Sequence, residues 1–243
     1  MASDWLIARP IAHRGLHDAA GGVIENTQSA VSAAIAADYG IEVDLQITAD
    51  GEAMVHHDDV LGRLTEGSGR LDQLTSATLR VVPFMNTTDR MMTLGELCDL
   101  VAGRATLLLE LKSRFDQDER LARRVAEVLA RYTGPMAAMS FDLAQVRMLR
   151  SLSPTLRRGL VAQRRPAVPS GEPQGSSPWT YLSPLLAGQP QFLAYSVRDL
   201  PAAPPLVARL LGLPVLSWTV RSEEDRRRAA RWADQIIFEG FKP

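Results

Sequence analysis

The chain has 243 residues, of which 27 are Lys or Arg and 28 are Asp or Glu, for a formal net charge of −1. That balance excludes a generally basic nucleic-acid binder, and the lone Cys98 excludes an internal disulfide framework. The 46% hydrophobic content is that of a globular protein with a core, and the length suits two small domains or a single large α/β domain over 1–243, since α/β barrels run to about 250 residues.

The opening MASDWLIARP has neither the basic start nor the apolar run of a secretory leader. A first strand-like run follows at 6–12, then a helical pattern at 27–38, a strand at 41–47 and a weakly patterned stretch at 59–92. That stretch is too long for an ordinary connection, and its length predicts a small insertion capping a site. Helices are predicted at 94–101, 117–132 and 143–152, alternating with strands at 106–111, 136–141 and 159–162. Thr93-Leu-Gly-Glu96 has the hydroxyl and acid of a helix start. The Pro-, Gly- and Ser-rich stretch 164–178 reads as a mobile loop. Strands at 192–197, 215–220 and 235–238 then alternate with helices at 205–211 and 222–233. The most apolar stretch, 206–218, is short and carries Arg209 and Pro214, so no membrane insertion is expected and a cytoplasmic location is the default. Arg226, Arg227, Arg228 and Arg231 follow Glu223, Glu224 and Asp225, which predicts an ion-paired helix face rather than a nucleic-acid patch. Eight strand-like runs alternating with helices predict an α/β (β/α)8 TIM barrel with a small insertion after the second strand.

Alternation along 41–47 sends Ile41, Val43, Leu45 and Ile47 to one face and Glu42, Asp44 and Gln46 to the other. Two inward carboxylates repel unless a cation or proton sits between them; a solvated edge strand is the plainer alternative. Along 106–112, Leu107, Leu109 and Leu111 share a face opposite Glu110 and Lys112, at the strand end where barrels of this kind keep their active sites. Glu42, Asp44 and Glu110 together offer hard oxygen donors suited to Ca²⁺ or Mg²⁺, with a Glu110–Lys112 ion pair as the alternative. The four histidines, His13, His17, His56 and His57, all lie in the first quarter of the chain. Two imidazoles flanking a bound group can serve as general base and general acid, while Arg14 and Lys112 neutralise phosphate oxygens, a set suited to phosphodiester cleavage. Their spacing does not suit a zinc hydrolase, and His17 and His56 read as supports. Only two of the basic residues are lysine, Lys112 and Lys242, so Lys112 stands out in an arginine-biased chain.

Taken in order, Ala12-His-Arg-Gly15, Glu25-Asn-Thr27, Glu42-Val-Asp44, Asp50-Gly51 with His57-Asp58, Arg63-Leu-Thr65, Glu110-Leu-Lys112, Ser140-Phe-Asp142 and Trp218-Thr-Val220 resemble the glycerophosphodiester phosphodiesterase family across nearly the whole chain. The resemblance implies metal-dependent hydrolysis of a small-molecule glycerophosphodiester to glycerol 3-phosphate and an alcohol. It further implies a divalent metal on Glu42, Asp44 and Glu110, acid–base work by His13 and His57, phosphate binding by Arg14 and Lys112, and support from Glu25 and Asn26. Trp218 resembles a wall of the substrate pocket, with core packing as its alternative role. The chain departs from the pattern at Ile24, at Arg221, where asparagine often follows Trp-Thr-Val, and at Phe238-Glu239, where the family usually has Thr-Asp. Two rivals keep the same residues. One is a lysophospholipase D with an acyl groove formed by Val81, Val82, Phe84, Met85, Met91 and Met92. The other is a silent barrel that binds a phosphorylated ligand.

Overall fold

The computed structural model describes residues 4–164 and 188–243. Its strands are β1 (Ile11–Ala12), β2 (Gly40–Ile47), β3 (Ala53–Val55), β4 (Leu107–Leu111), β5 (Met136–Ser140), β6 (Arg157–Ala162), β7 (Phe192–Ser196), β8 (Val215–Val220) and β9 (Gln235–Phe238). All but β3 form one parallel ring, closed because Ile11 of β1 pairs with Gly40 of β2 on one side and Ile237 of β9 on the other. β3 lies antiparallel against β2, outside the ring. The described helices are α1 (Gln28–Ala36), α2 (Ser76–Val81), α3 (Leu94–Val101), α4 (Arg120–Leu129), α5 (Leu143–Leu152), α6 (Ala203–Leu210) and α7 (Glu223–Ala229). None is long and apolar enough to cross a membrane.

Each strand run expected from alternation maps onto a ring strand, and the exception in length is the first. Pro10 has no N–H to give a ladder, so pairing begins only at Ile11. The residues before it fold back as a plug, with fully buried Leu6 joining Ile11, Leu108, Met139, Val161, Phe192 and Leu216 inside the barrel. The Thr106 hydroxyl and the Gln235 amide tie this plug down by donating to the Trp5 and Ile7 carbonyls at 3.2 and 2.9 Å. Alternate strand residues, including Val43, Leu45, Leu107 and Leu109, instead pack outward against Val31, Leu97, Leu121 and Val146 of the surrounding helices. Gly159 makes room inside: a Cβ there would lie 2.2 Å from the Phe192 ring.

The stretch 59–92 carries α2 and its own apolar cluster, in which Leu61, Leu71, Leu79, Phe84 and Met91 pack with Ile24 and Met54. The predicted capping box is present on α3, where Thr93 and Glu96 each satisfy the other's backbone N–H. On α7 the acidic first turn pairs with the arginines behind it, Arg226 with Glu223 at 3.2 Å and Arg228 with Glu224 at 3.3 Å, the solvated face that the charge pattern implied. The loop expected at 164–178 lies, beyond Arg164, outside the described residues.

Candidate active site

The site is built where the strands end. After β1 the chain turns sharply, with Arg14 (φ 57°) and Gly15 (φ 78°) both left-handed, a region that costs a non-glycine residue about 1–2 kcal/mol. Specific bonds hold it: Arg14 N donates to Glu42 Oε2 (2.9 Å), Gly15 N to the Glu42 carbonyl (3.1 Å) and Asn26 N to the Arg14 carbonyl (2.9 Å). Gly15 is also pressed against α1, where a Cβ would meet Ala30 at 2.8 Å. The turn sets His13 beside Glu42, Nε2 to Oε2 3.9 Å.

Glu42 and Asp44 project inward from β2, 0% and 1% exposed, and the β2–β4 register puts Glu110 directly across from Asp44. One ligand oxygen from each of the three lies within 4.8 Å of the others. Burial, with Asp44 and Glu110 alongside, pushes the Glu42 pKa well up. Burial acts the same way on Asp44, but Lys112 and Arg14 override it and hold the carboxyl low. Lys112 Nζ lies 2.9 Å from Asp44 Oδ1 and 2.6 Å from Glu110 Oε1. The Glu110–Lys112 ion pair weighed from sequence is therefore present, and it is shared with Asp44. Asn26 clamps Asp44 from behind, its Nδ2 donating to Oδ2 (2.9 Å) and its Oδ1 accepting from the Asp44 N–H (3.2 Å). Glu42 Oε1 is buried without a hydrogen-bond partner among the described residues. Leaving such an acceptor unsatisfied costs about 1–3 kcal/mol or more. Three hard carboxylates, one with an orphaned oxygen, fit a divalent cation of the Ca²⁺ or Mg²⁺ type.

Two histidines flank these carboxylates. His13 Nδ1 bonds Glu239, whose other oxygen accepts from Arg221 Nε at 2.6 Å, and His17 Nε2 lies 3.8 Å from the same carboxylate. Burial lowers the His13 pKa, and the Glu239 bond opposes it. His57 Nδ1 bonds Asp58 at 2.7 Å; Asp58 in turn accepts from Arg63 Nε at 2.5 Å. Arg63 reaches on to Glu25 at 2.7 Å, where Arg14 also binds at 2.7 Å. These contacts link His13, Arg14, Glu25, Asn26, Glu42, Asp44, His57, Glu110 and Lys112 into one network. Trp218 joins it through no hydrogen bond: it stacks edge-to-face on Phe141 at 5.5 Å, and its Nε1 is buried without a partner among the described residues. His56 is buried against Phe84 of the insertion, and desolvation pulls its pKa to about 4. Ser140 and Asp142 serve the framework, Asp142 capping α5 by accepting from Ala144 N at 2.8 Å.

Glu239 and Arg221 escaped the sequence reading as functional residues, entering it only as departures from a pattern. No local signal links positions so far from His13. The signal is topological: once the ring closes, Ala12 stands opposite Phe238, and the next residues, His13 and Glu239, must meet. The apolar residues offered as an acyl groove divide between core and surface. Phe84, Met91 and Met92 are buried, Phe84 and Met91 in the insertion's own core, while Val81 and Met85 are exposed.

The model of the glycerophosphoryl diester phosphodiesterase family matches residues 13–240. The chain belongs to this family. A glycerophosphodiester phosphodiesterase of Caldanaerobacter subterraneus is 30% identical over 166 residues, 63% of this chain and 66% of that protein. Glycerophosphodiester phosphodiesterase 1 of Bos taurus is 46% identical over 72 residues, 29% of this chain, so the matched stretch spans about a fifth of that relative's length (20%). A solved Oleispira antarctica phosphodiesterase in complex with the product sn-glycerol-3-phosphate shares the fold at TM-score 0.80 and 21% identity, over 96% of this chain and 93% of that one.

Proposed function

We propose that the chain, as one domain over 1–243, hydrolyses small-molecule glycerophosphodiesters to glycerol 3-phosphate and an alcohol. Glu42, Asp44 and Glu110 hold Ca²⁺ or Mg²⁺ in this reading, and His13 and His57 move the protons. The observation that carries it is one network at the barrel rim. It combines a buried carboxylate triad having an orphaned Glu42 oxygen with two imidazoles, each tied through Nδ1 to its own carboxylate. Family membership and the product in the Oleispira antarctica relative support the substrate class.

When bound, the cation supplies charge neutralisation at a phosphate oxygen. Arg14 and Lys112 meet the remaining non-bridging oxygens. With Nδ1–H engaged by Glu239, the Nε2 lone pair of His13 accepts the proton of the attacking hydroxyl, from water or from the neighbouring glycerol oxygen. Burial favours the neutral imidazole that this step needs. His57, oriented through Nδ1 by Asp58, gives a proton from Nε2 to the leaving alkoxide. Glu25 holds Arg14 and Arg63, Asn26 holds Asp44, and Trp218 walls the pocket. The burial of Phe84, Met91 and Met92 favours a short polar alcohol over an acyl chain.

Glycerol 3-phosphate release from glycerophosphocholine, compared with lysophosphatidylcholine, tests this directly. The diester is turned over and the lysolipid is the poorer substrate, while His13→Ala and Glu42→Ala are silent with an unchanged near-UV circular dichroism spectrum. Metal-stimulated turnover retained in both variants would sink the assignment.

A further inference from the structure

Arg63 joins the insertion to the barrel rim. Its Nε donates to Asp58 Oδ2 at 2.5 Å, Nη2 to Glu25 Oε1 at 2.7 Å and Nη1 to Glu25 Oε2 at 3.4 Å. The guanidinium fork is thus spent on two acids rather than on substrate. Ion pairs of a side chain 46% exposed add little to stability, so the value of this bridge lies in what it connects. The two acids serve different parts of the site: Asp58 holds His57 Nδ1 at 2.7 Å, and Glu25 holds Arg14 Nη1 at 2.7 Å.

The small core of the insertion fixes Arg63 in place. Leu61 and Leu64, on either side of it, pack in that core with Met54 and with Ile24, the neighbour of Glu25. One apolar cluster therefore carries both ends of the Arg63–Glu25 bridge. The backbone around Arg63 is held as well, the Leu61 N–H donating to the Gly69 carbonyl at 2.9 Å and the Met85 N–H to the Leu64 carbonyl at 2.8 Å. His57 itself is secured in two separate ways. Its carbonyl accepts from Gln46 Nε2 at 2.8 Å, which ties the backbone to β2, whereas its ring, 31% exposed, takes its direction from Asp58.

Building on the phosphodiesterase reading, we propose that Arg63 is a positioning residue that acts through Asp58 on His57, with the core of the insertion as its brace. Arg63 fixes the Asp58 carboxylate, and Asp58 fixes the ring so that Nε2 faces the leaving oxygen. Through Glu25 that direction is set relative to Arg14, and so relative to the phosphate. Arg63 touches no reacting atom in this role.

The test compares glycerophosphocholine with the glycerol phosphodiester of a nitrophenol, whose leaving group needs no proton, on the metal-loaded full chain. Arg63→Met lowers kcat about tenfold on the choline diester with KM little changed, the lower end of what a group orienting a working side chain is worth. On the nitrophenyl diester it stays within about twofold of the parent, because the step that His57 serves is no longer needed. Arg63→Lys keeps the charge but not the fork, and recovers little of the loss. In a His57→Ala background Arg63→Met has no further effect. Equal losses on the two diesters, full rescue by lysine, or a loss that adds to that of His57→Ala overturns the inference. Hydrolysis of neither diester by the parent overturns the phosphodiesterase reading instead. The inference is then read from the His57 ring by long-range ¹H–¹⁵N NMR. The neutral ring is mainly the Nδ1–H tautomer in the parent and a mixture of tautomers in Arg63→Met, and an unchanged tautomer ratio overturns the inference.

Discussion

His13 and His57 each present Nδ1 to a carboxylate that an arginine grips in turn, yet the two assemblies come from opposite kinds of chain geometry. Asp58 is the residue next to His57, and Arg63 follows within the same loop, so that half of the rim is local and half-buried. Glu239 and Arg221 reach His13 only because the last strand closes the barrel against the first, and the imidazole of that half is the more buried, 11% exposed against 31% for His57. A local assembly survives small shifts of the frame, whereas one made by ring closure fixes its imidazole only while the whole barrel is intact. In the proposed mechanism the first would serve the acid that meets a variable leaving group, the second the base whose position must not drift.

Removing the imidazoles tests this division most severely. His13→Ala and His57→Ala each lower kcat by about 10²–10⁴ on an alkyl diester. With a glycerol phosphodiester of a nitrophenol, whose leaving group needs no proton, His57→Ala recovers and His13→Ala does not. Recovery of His13→Ala instead would reverse the roles. The carboxylates come next: Glu239→Gln lowers kcat about 10–100-fold with little change in KM, the range for groups that orient a working side chain. Asp58→Asn, beside the more exposed imidazole, has the smaller effect, and steady-state kinetics showing the reverse order would break the comparison.

A third histidine sharpens it. His56 adjoins His57 in sequence but is buried with its Nδ1 unbonded among the described residues, and desolvation outweighs the nearby carboxylates to give a folded pKa of about 4 against an ordinary value near 6.5. Between those values the unfolded chain binds a proton that the folded chain refuses, so the stability present above the ordinary pKa is lost as pH falls toward 4. From pH 7.5 to pH 5 this amounts to about 2 kcal/mol. Urea unfolding of the parent loses that much more than His56→Gln over the same interval; parallel losses would show that His56 charges freely in the fold.

Much of this was legible in the sequence. The strand-and-helix alternation located every ring strand, and the inward faces of 41–47 and 106–112 identified the carboxylates, because a two-residue period needs no tertiary information. The bounds of α3 and α5 were read without error, one from its capping box and one from the amphipathic run behind Asp142. The first strand was overdrawn because its apolar residues are spent on a plug that looks like a strand in one dimension. The Glu239–His13 contact was illegible for a related reason: nothing in residues 235–243 reveals what lies beside them until the barrel is closed. Core and groove could not be told apart for the apolar residues of 59–92, because burial in a small core and exposure along a groove demand the same side chains.

In the proposed function, Glu42, Asp44 and Glu110 hold a divalent cation on which turnover depends. The most direct measurement is glycerol 3-phosphate release from glycerophosphocholine by chelator-stripped protein, before and after Mg²⁺ or Ca²⁺ is restored. Stripped protein should be inactive, regain turnover with one of the two ions, and fail to regain it as Glu42→Gln. Full turnover after stripping, or equal restoration in Glu42→Gln, would contradict the claim.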